Sequence, residues 1–329
     1  MPPKSLALLI LAFILLTGFC SNQKNNDIEQ PAALADTENP FFSDFETPFG
    51  SPPFEKIKED HFLPAIKKGI EFQRQEINAI TSNEEPPTYE NTIEALEYSG
   101  ERLIKVSNVF DNLNSAHTNE NMQSIAKEIA PLLSQLRDDI NLNEELFSRI
   151  KAVYEIKDQL DLSQEQNMLL EKIYKDFVRG GANLSPEDKE TFRKINQELS
   201  LLSLQFAENV LKETNAFELI LETKEDLAGL PDDVISAAFE AAKEKGYEGK
   251  WMFTLHKPSL IPFLQYSKKR DLREKIFKAY INRGDNDNEQ DNKAILSQMA
   301  AIRVKRAHLL GYDTHAHFVL EQNMAQVPE

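Results

Sequence analysis

Through most of this chain apolar residues return every three or four positions, and that spacing constrains the fold more than any other feature. It puts an apolar stripe on each of a series of helices and requires the stripes to be buried against one another. Ile66, Ile70, Ile77 and Ile80 form one stripe; Leu96, Leu103, Val106, Phe110 and Leu113 a second; Ile125, Ile129, Leu132 and Leu136 a third. A longer stripe, Phe192, Ile195, Leu199, Leu202, Phe206 and Val210, keeps near-heptad spacing and predicts a long antiparallel helix. Ser185-Pro186-Glu187-Asp188 marks its start: an N-cap hydroxyl, proline at the first helical position and acids in the first turn.

The period changes at two places. Phe217-Glu218-Leu219-Ile220-Leu221 and Trp251-Met252-Phe253-Thr254-Leu255 are short, aromatic or β-branched and partly alternating, so a single strand pair is expected. Between them Gly229-Leu230-Pro231-Asp232-Asp233 opens a helix running to about Lys245. Helices resume after Pro258 and Pro262, with stops at Gly284 and Gly311. Residues 39–53 are rich in Phe, Pro and Gly and predict an extended arm that partly buries Phe41, Phe42, Phe45 and Phe49. The fold class is mainly α with one short β-strand pair.

At 329 residues the chain is long for one core and suggests one or two lobes. Its 54 acidic against 37 basic residues give a net charge of −17, which argues against nucleic acid as a partner, because phosphates require a basic surface. Basic peptides remain compatible with that balance, although a surface kept soluble by charge explains it more simply.

The amino terminus reads as a leader. Lys4 is followed by an apolar run from Leu6 to Leu16 and then Thr17-Gly18-Phe19-Cys20. As a helix that run would span only about half of a ~30 Å hydrocarbon core, so it predicts an export signal rather than a permanent span. Cys20, the single cysteine, stands where a bacterial lipoprotein carries its lipid, although Phe19 departs from the small residue usual in a lipobox. Lipidation at Cys20 and simple cleavage both remain open. The expected organisation is a signal over 1–20, a tether over 21–38, a helical lobe over 39–213, and a strand pair with the start of a second domain over 214–329. Localisation is expected to be periplasmic or membrane-anchored.

No phosphate-binding glycine loop, dinucleotide fingerprint or nucleophile elbow is present. None of His61, His117, His256, His308, His315 and His317 begins H-E-x-x-H, the spacing that aims two imidazoles at one zinc. His317 and Glu321 could share a metal at i,i+4, but an ordinary helix surface is the simpler reading. Asp138-Asp139, like Glu84-Glu85, Glu144-Glu145 and Asp232-Asp233, reads as a solvated helix face or cap. Asp285-Asn286-Asp287-Asn288-Glu289 lacks the glycine and terminal glutamate of a calcium loop. No catalytic or metal-binding residue is assigned within these residues, and no cofactor is expected in the chain as given.

Several ordered segments carry a family resemblance. Leu230-Pro231, Trp251-Met252-Phe253-Thr254-Leu255, Pro258, Arg270-Asp271-Leu272-Arg273-Glu274 and Ala279-Tyr280-Ile281-Asn282-Arg283-Gly284 lead on to Asp291-Asn292, Arg303, Ala307-His308-Leu309-Leu310-Gly311-Tyr312 and Asn323-Met324-Ala325. Earlier lie Asn39-Pro40-Phe41-Phe42, Pro53-Phe54-Glu55-Lys56-Ile57, His61-Phe62-Leu63-Pro64-Ala65 and Tyr89-Glu90-Asn91-Thr92-Ile93. Together these resemble the amino-terminal portion of the thimet oligopeptidase family of zinc peptidases, in its bacterial peptidyl-dipeptidase branch.

The resemblance implies a helical, clam-like, monomeric enzyme acting on short peptides, with zinc held by H-E-x-x-H and a downstream glutamate. It places those residues beyond Glu329, so the chain is expected to be inactive alone. Ile295, Met299, Ile302, Val304, Leu309, Leu310, Phe318 and Leu320 are then expected to be partly uncovered. A non-catalytic, exported helical peptide-binding lipoprotein is the alternative. Arg270 and Glu274 are expected to brace their helix as an i,i+4 pair rather than contact substrate.

Overall fold

The structure, a computed structural model, describes residues 39–329. The expected signal over 1–20 with Cys20, and the tether over 21–38, lie outside the described residues. In chain order the elements are α1 (Phe62–Thr81), α2 (Ala95–Glu97), α3 (Glu101–Ala116), α4 (Glu120–Asn141), α5 (Glu144–Glu155), α6 (Gln164–Arg179), α7 (Pro186–Ala216), β1 (Leu219–Leu221), α8 (Asp232–Glu244), β2 (Trp251–Phe253), α9 (Lys257–Tyr266), α10 (Arg270–Ile281), α11 (Lys293–Leu309) and α12 (His315–Leu320). The protein is mainly α, as the periodicity requires.

Local chemistry sets the helix ends. Asn119, Asn143, Ser163 and Ser185 each accept a backbone N–H of the first turn of α4, α5, α6 and α7. Each removes one of the orphan donors that every helix start carries. At the other end of α11 the Tyr312 N–H donates to the Ala307 carbonyl at 2.9 Å and the Gly311 N–H to His308 at 3.0 Å. That closure needs a left-handed residue, and Gly311 supplies it at φ 84°.

Packing follows the stripes. α1 serves two apolar clusters in turn: Phe62, Ile66 and Ile70 meet Leu103, Val106 and Phe110 of α3 and Ile125 and Ile129 of α4. About two helical turns later, Ile77 and Ile80 join Ile93, Leu146, Ile150 and Leu170. α1 and α3 lie so close that a Cβ on Gly69 would stand 3.0 Å from the Leu103 backbone. β1 and β2 pair antiparallel with Leu219 opposite Phe253, and their inner face packs with α8, α9 and Ile276 of α10. α7 is the spine: it packs against α4 and, farther along, against α11, where Ile195 and Leu199 meet Ile295, Met299 and Ile302.

Several expectations are corrected. Phe41 is buried and Phe42 and Phe45 are half-buried, but Phe49 is fully exposed. Residues 39–53 are not uniformly extended; they form short 3₁₀ turns, and the turn closed by the Gly50 N–H on the Thr47 carbonyl points the Phe49 ring into solvent. Pro258 and Pro262 lie within α9, Pro258 in the first turn, where no amide proton is required. Ile295, Met299 and Ile302 are buried, because α7 covers them; of the residues expected to be uncovered, Val304 is exposed, and Leu309, Leu310, Phe318 and Leu320 are half-buried. Glu274 pairs with Lys278 at 2.6 Å and not with Arg270.

Candidate functional site

α4, the last turn of α6, α7, α11 and α12 enclose a cavity of about 500 Å³. The near-heptad stripe of α7 turns Ile195 and Leu199 toward the core, and one residue round the helix Asn196, Ser200 and Ser203 form a polar ribbon along the cavity wall. Arg303 and Arg306 enter from α11 at i,i+3, and Arg179 from the end of α6. Leu133, Phe192, Leu199 and Phe318 supply the apolar wall.

Asp138 sits at the base of this cavity and is only 3% exposed. Its Oδ1 accepts a hydrogen bond from Asn196 Nδ2 at 2.7 Å. Burial pushes its carboxyl up to about 6, against the opposing effects of the Asn196 bond and the Arg193 and Arg137 charges. The expectation of a solvated Asp138-Asp139 face is thus half wrong. Asp139 faces outward enough to join Arg74 at 2.9 Å and Arg193 at 2.7 Å, whereas α7 closes over Asp138. Asn196 also accepts from Arg306 Nη1 at 3.4 Å, and so stands between a buried acid and a buried base.

Arg306 is only partly satisfied. Its Nε is buried without a hydrogen-bond partner, and burial followed by the nearby Arg303 charge lowers its affinity for its proton. His315 Nδ1 is likewise buried and unpaired, and burial, then Arg306 and Arg303, depress that imidazole. Arg179 is fully engaged: it pairs with Glu321, donates to Tyr312 Oη at 3.2 Å and to the Phe318 carbonyl at 2.6 Å. Burial alone would raise the Glu321 carboxyl, but the hydrogen bonds from Tyr312 and Arg179 outweigh it and hold the group low. The Phe318 ring lies between two guanidinium groups, Arg179 at 4.4 Å and Arg306 at 5.4 Å.

The structure does not bring together the pair that sequence spacing offered to a metal. Glu321 is committed to Arg179 and Tyr312, and His317 Nδ1 lies 2.8 Å from Thr314 Oγ1. His308 is hydrogen-bonded locally to the Asp313 carbonyl, and His256 reaches Asn215 at the end of α7 at 3.0 Å. In the Asp285–Asp291 loop the Lys293 ammonium sits among Asp285, Asp287 and Asp291 at 2.6 to 2.9 Å, so the chain's own cation fills the place of a metal. Among the described residues no three His, Cys, Asp or Glu side chains gather as metal ligands. Sequence reasoning passed over Arg306, Asn196, Ser200 and Ser203. The signal was there: polar residues at 196, 200 and 203 repeat at helical spacing beside the apolar stripe.

Residues 263–329 match Peptidase family M3. Over 293 residues the chain is 36% identical to dipeptidyl carboxypeptidase of Escherichia coli, covering 89% of this chain and 43% of that protein. It is 34% identical over 291 residues to the dipeptidyl carboxypeptidase of Salmonella typhimurium, covering 88% and 43%, and 32% identical over 284 residues to oligopeptidase A of Haemophilus influenzae, covering 85% and 41%. The chain belongs to peptidase family M3. Its likeness to the two dipeptidyl carboxypeptidases bears out the peptidyl-dipeptidase branch. The chain spans less than half the length of these curated relatives.

Proposed function

We propose that this chain is the amino-terminal portion of an exported zinc metallopeptidase that hydrolyses short peptides in the manner of a peptidyl-dipeptidase, and that the 329 residues alone are inactive. The observation that carries the reading is 36% identity sustained over 293 residues to a protein named dipeptidyl carboxypeptidase. The absence of H-E-x-x-H from the sequence supports inactivity, since the zinc-binding residues of this reading lie outside it. The leader-like run ending at Cys20 supports export, with a lipid at Cys20 as the anchor.

Assay of the 329-residue chain on a fluorogenic peptide with a free carboxyl terminus tests the first part. No hydrolysis is expected with or without added zinc. Cleavage abolished by a chelator would place a working centre within these residues and overturn the proposal. Fractionation of cells producing the Cys20→Ala form tests the second: release from the membrane fraction is expected, and unchanged partition would remove the lipid anchor. The alternative, a peptide-binding protein without turnover, gains if the longest product of the gene binds peptides and still does not cleave them.

A further inference from the structure

The chain carries a net charge of −17, yet the cavity bounded by α4, α7 and α11 is lined by Arg137, Arg179, Arg303 and Arg306 against Asp138 as its one acid. Arg179 is neutralised by Glu321 outside the lining. Among the described residues Arg303 has no carboxylate or hydrogen-bond partner, although it is half-buried and close enough to Arg306 to disfavour that residue's charge. Arg306 has a buried Nε with no acceptor and a single long bond to Asn196 at 3.4 Å. Asp138 favours the Arg306 charge only through space, for its hydrogen bond goes to Asn196. Two adjacent guanidinium groups, one without an acceptor and one with a single long bond, are unfavourable in the free protein, and an arriving oxyanion would satisfy both.

We propose that this cavity is a binding site for a small oxyanion, carboxylate or phosphate, held by Arg303 and Arg306. A volume of about 500 Å³ exceeds what a bare oxyanion fills and lies in the range of small-molecule sites. Leu133, Phe192 and Leu199 offer the remaining space to an apolar group. The favoured ligand is therefore an organic carboxylate with an aliphatic substituent, such as the free carboxyl end of a short peptide or a free organic acid. The site rests on this geometry alone and does not require that the protein hydrolyse anything.

Calorimetric titration of the full gene product with N-acetyl-leucine, its amide and inorganic phosphate, at constant ionic strength, tests the site. The free acid is expected to bind, with the amide weaker by roughly tenfold or more because it forfeits the charge-assisted bonds. Arg303→Met is expected to lose the same factor for the acid without lowering the thermal unfolding temperature, since it removes a repulsion from Arg306 and no hydrogen bond among the described residues. Arg303→Lys, which keeps the charge but not the planar fork, should recover part of the affinity. Displacement of the acid by phosphate would support a site for oxyanions generally; failure of phosphate to displace it would support one selective for organic carboxylates. Equal affinity for acid and amide, no binding of the acid, or binding indifferent to Arg303→Met would overturn the proposal, whatever the peptidase assay gives.

Discussion

The helices before α7 and the seam that α7 makes with α4 and α11 are held together differently. In the first region the joining groups are mainly apolar: Phe62, Ile66, Leu146, Ile150 and Leu170 are essentially inaccessible to solvent, with Phe62 edge-on to Phe110 at 5.2 Å, and the buried Arg149, bonded to Asn83, Glu85 and Asn91, is the main polar exception. At the seam the apolar cluster is small and is accompanied by buried polar groups. Asp138 bonds Asn196, Asn209 bonds Asn292 at 2.9 Å, and the buried Glu208 pairs with Lys127 at 3.0 Å. Apolar burial stabilises without direction, whereas a buried hydrogen bond contributes little net energy but penalises every arrangement that leaves it unmade. Stability is therefore concentrated before α7, and polar pairs direct how α4 and the start of α11 sit on the spine, beside the arginine-lined cavity.

Truncating the first region should have the largest effect. Phe62→Ala removes a ring buried among Phe41, Ile66 and Phe110 and is expected to cost about 3 to 5 kcal/mol, read from urea unfolding. A loss below about 1 kcal/mol would mean the cluster is not where stability resides.

At the seam the effect depends on pH. Asp138 is pushed from 3.8 up to about 6 by burial, so between those values the folded state holds a proton that the unfolded state has released. Its contribution to stability is then greatest below pH 4 and declines as pH rises to about 6, by about 2 to 3 kcal/mol in all. Asp138→Asn keeps an acceptor for Asn196 but cannot ionise. Relative to the wild type, the variant should gain that amount on going from pH 4 to pH 7.5, and a pH-independent difference would show that Asp138 does not titrate in this window.

A smaller change is expected at the far end of the seam. Asn292 accepts from Asn209 and donates to the Phe206 carbonyl at 3.1 Å. Asn292→Ala leaves the buried Asn209 amide without its acceptor and removes the bond to the Phe206 carbonyl, and should cost about 1 to 2 kcal/mol. If the polar pairs fix placement more than stability, hydrogen exchange in α11 should accelerate more than the global loss predicts. Uniform acceleration across the chain would erase the distinction between the two regions.

Much of the helical framework was legible because each signal is local. Ser185 caps α7 since a hydroxyl before Pro186 can reach the Asp188 N–H at 3.2 Å whatever the rest of the chain does. The stripe of α1 reads as helix because 3.6 residues per turn brings Ile66, Ile70, Ile77 and Ile80 to one side. The strand pair was legible from composition, and its register of Leu219 on Phe253 and Leu221 on Trp251 keeps the alternation that betrayed it. Phe49 was misread because aromatic content gives no direction to a turn.

The sequence by itself determined the helices, their caps, the strand pair, the acidic balance and the missing H-E-x-x-H. Only the tertiary structure decided which polar residues are interior. Asp138 and Asp139 are identical side chains on neighbouring residues, yet about 100° of helical rotation turns one beneath α7 and the other toward Arg74 and Arg193. Likewise nothing in the spacing of Arg303 and Arg306 marks them for an interior, and only α4 and α7 make them the wall of a cavity. Periodicity is carried by each segment alone, but burial of a charge belongs to the residues that cover it, and those arrive from far along the chain, 58 residues away for Asn196 on Asp138 and 110 for Arg306 on Asn196.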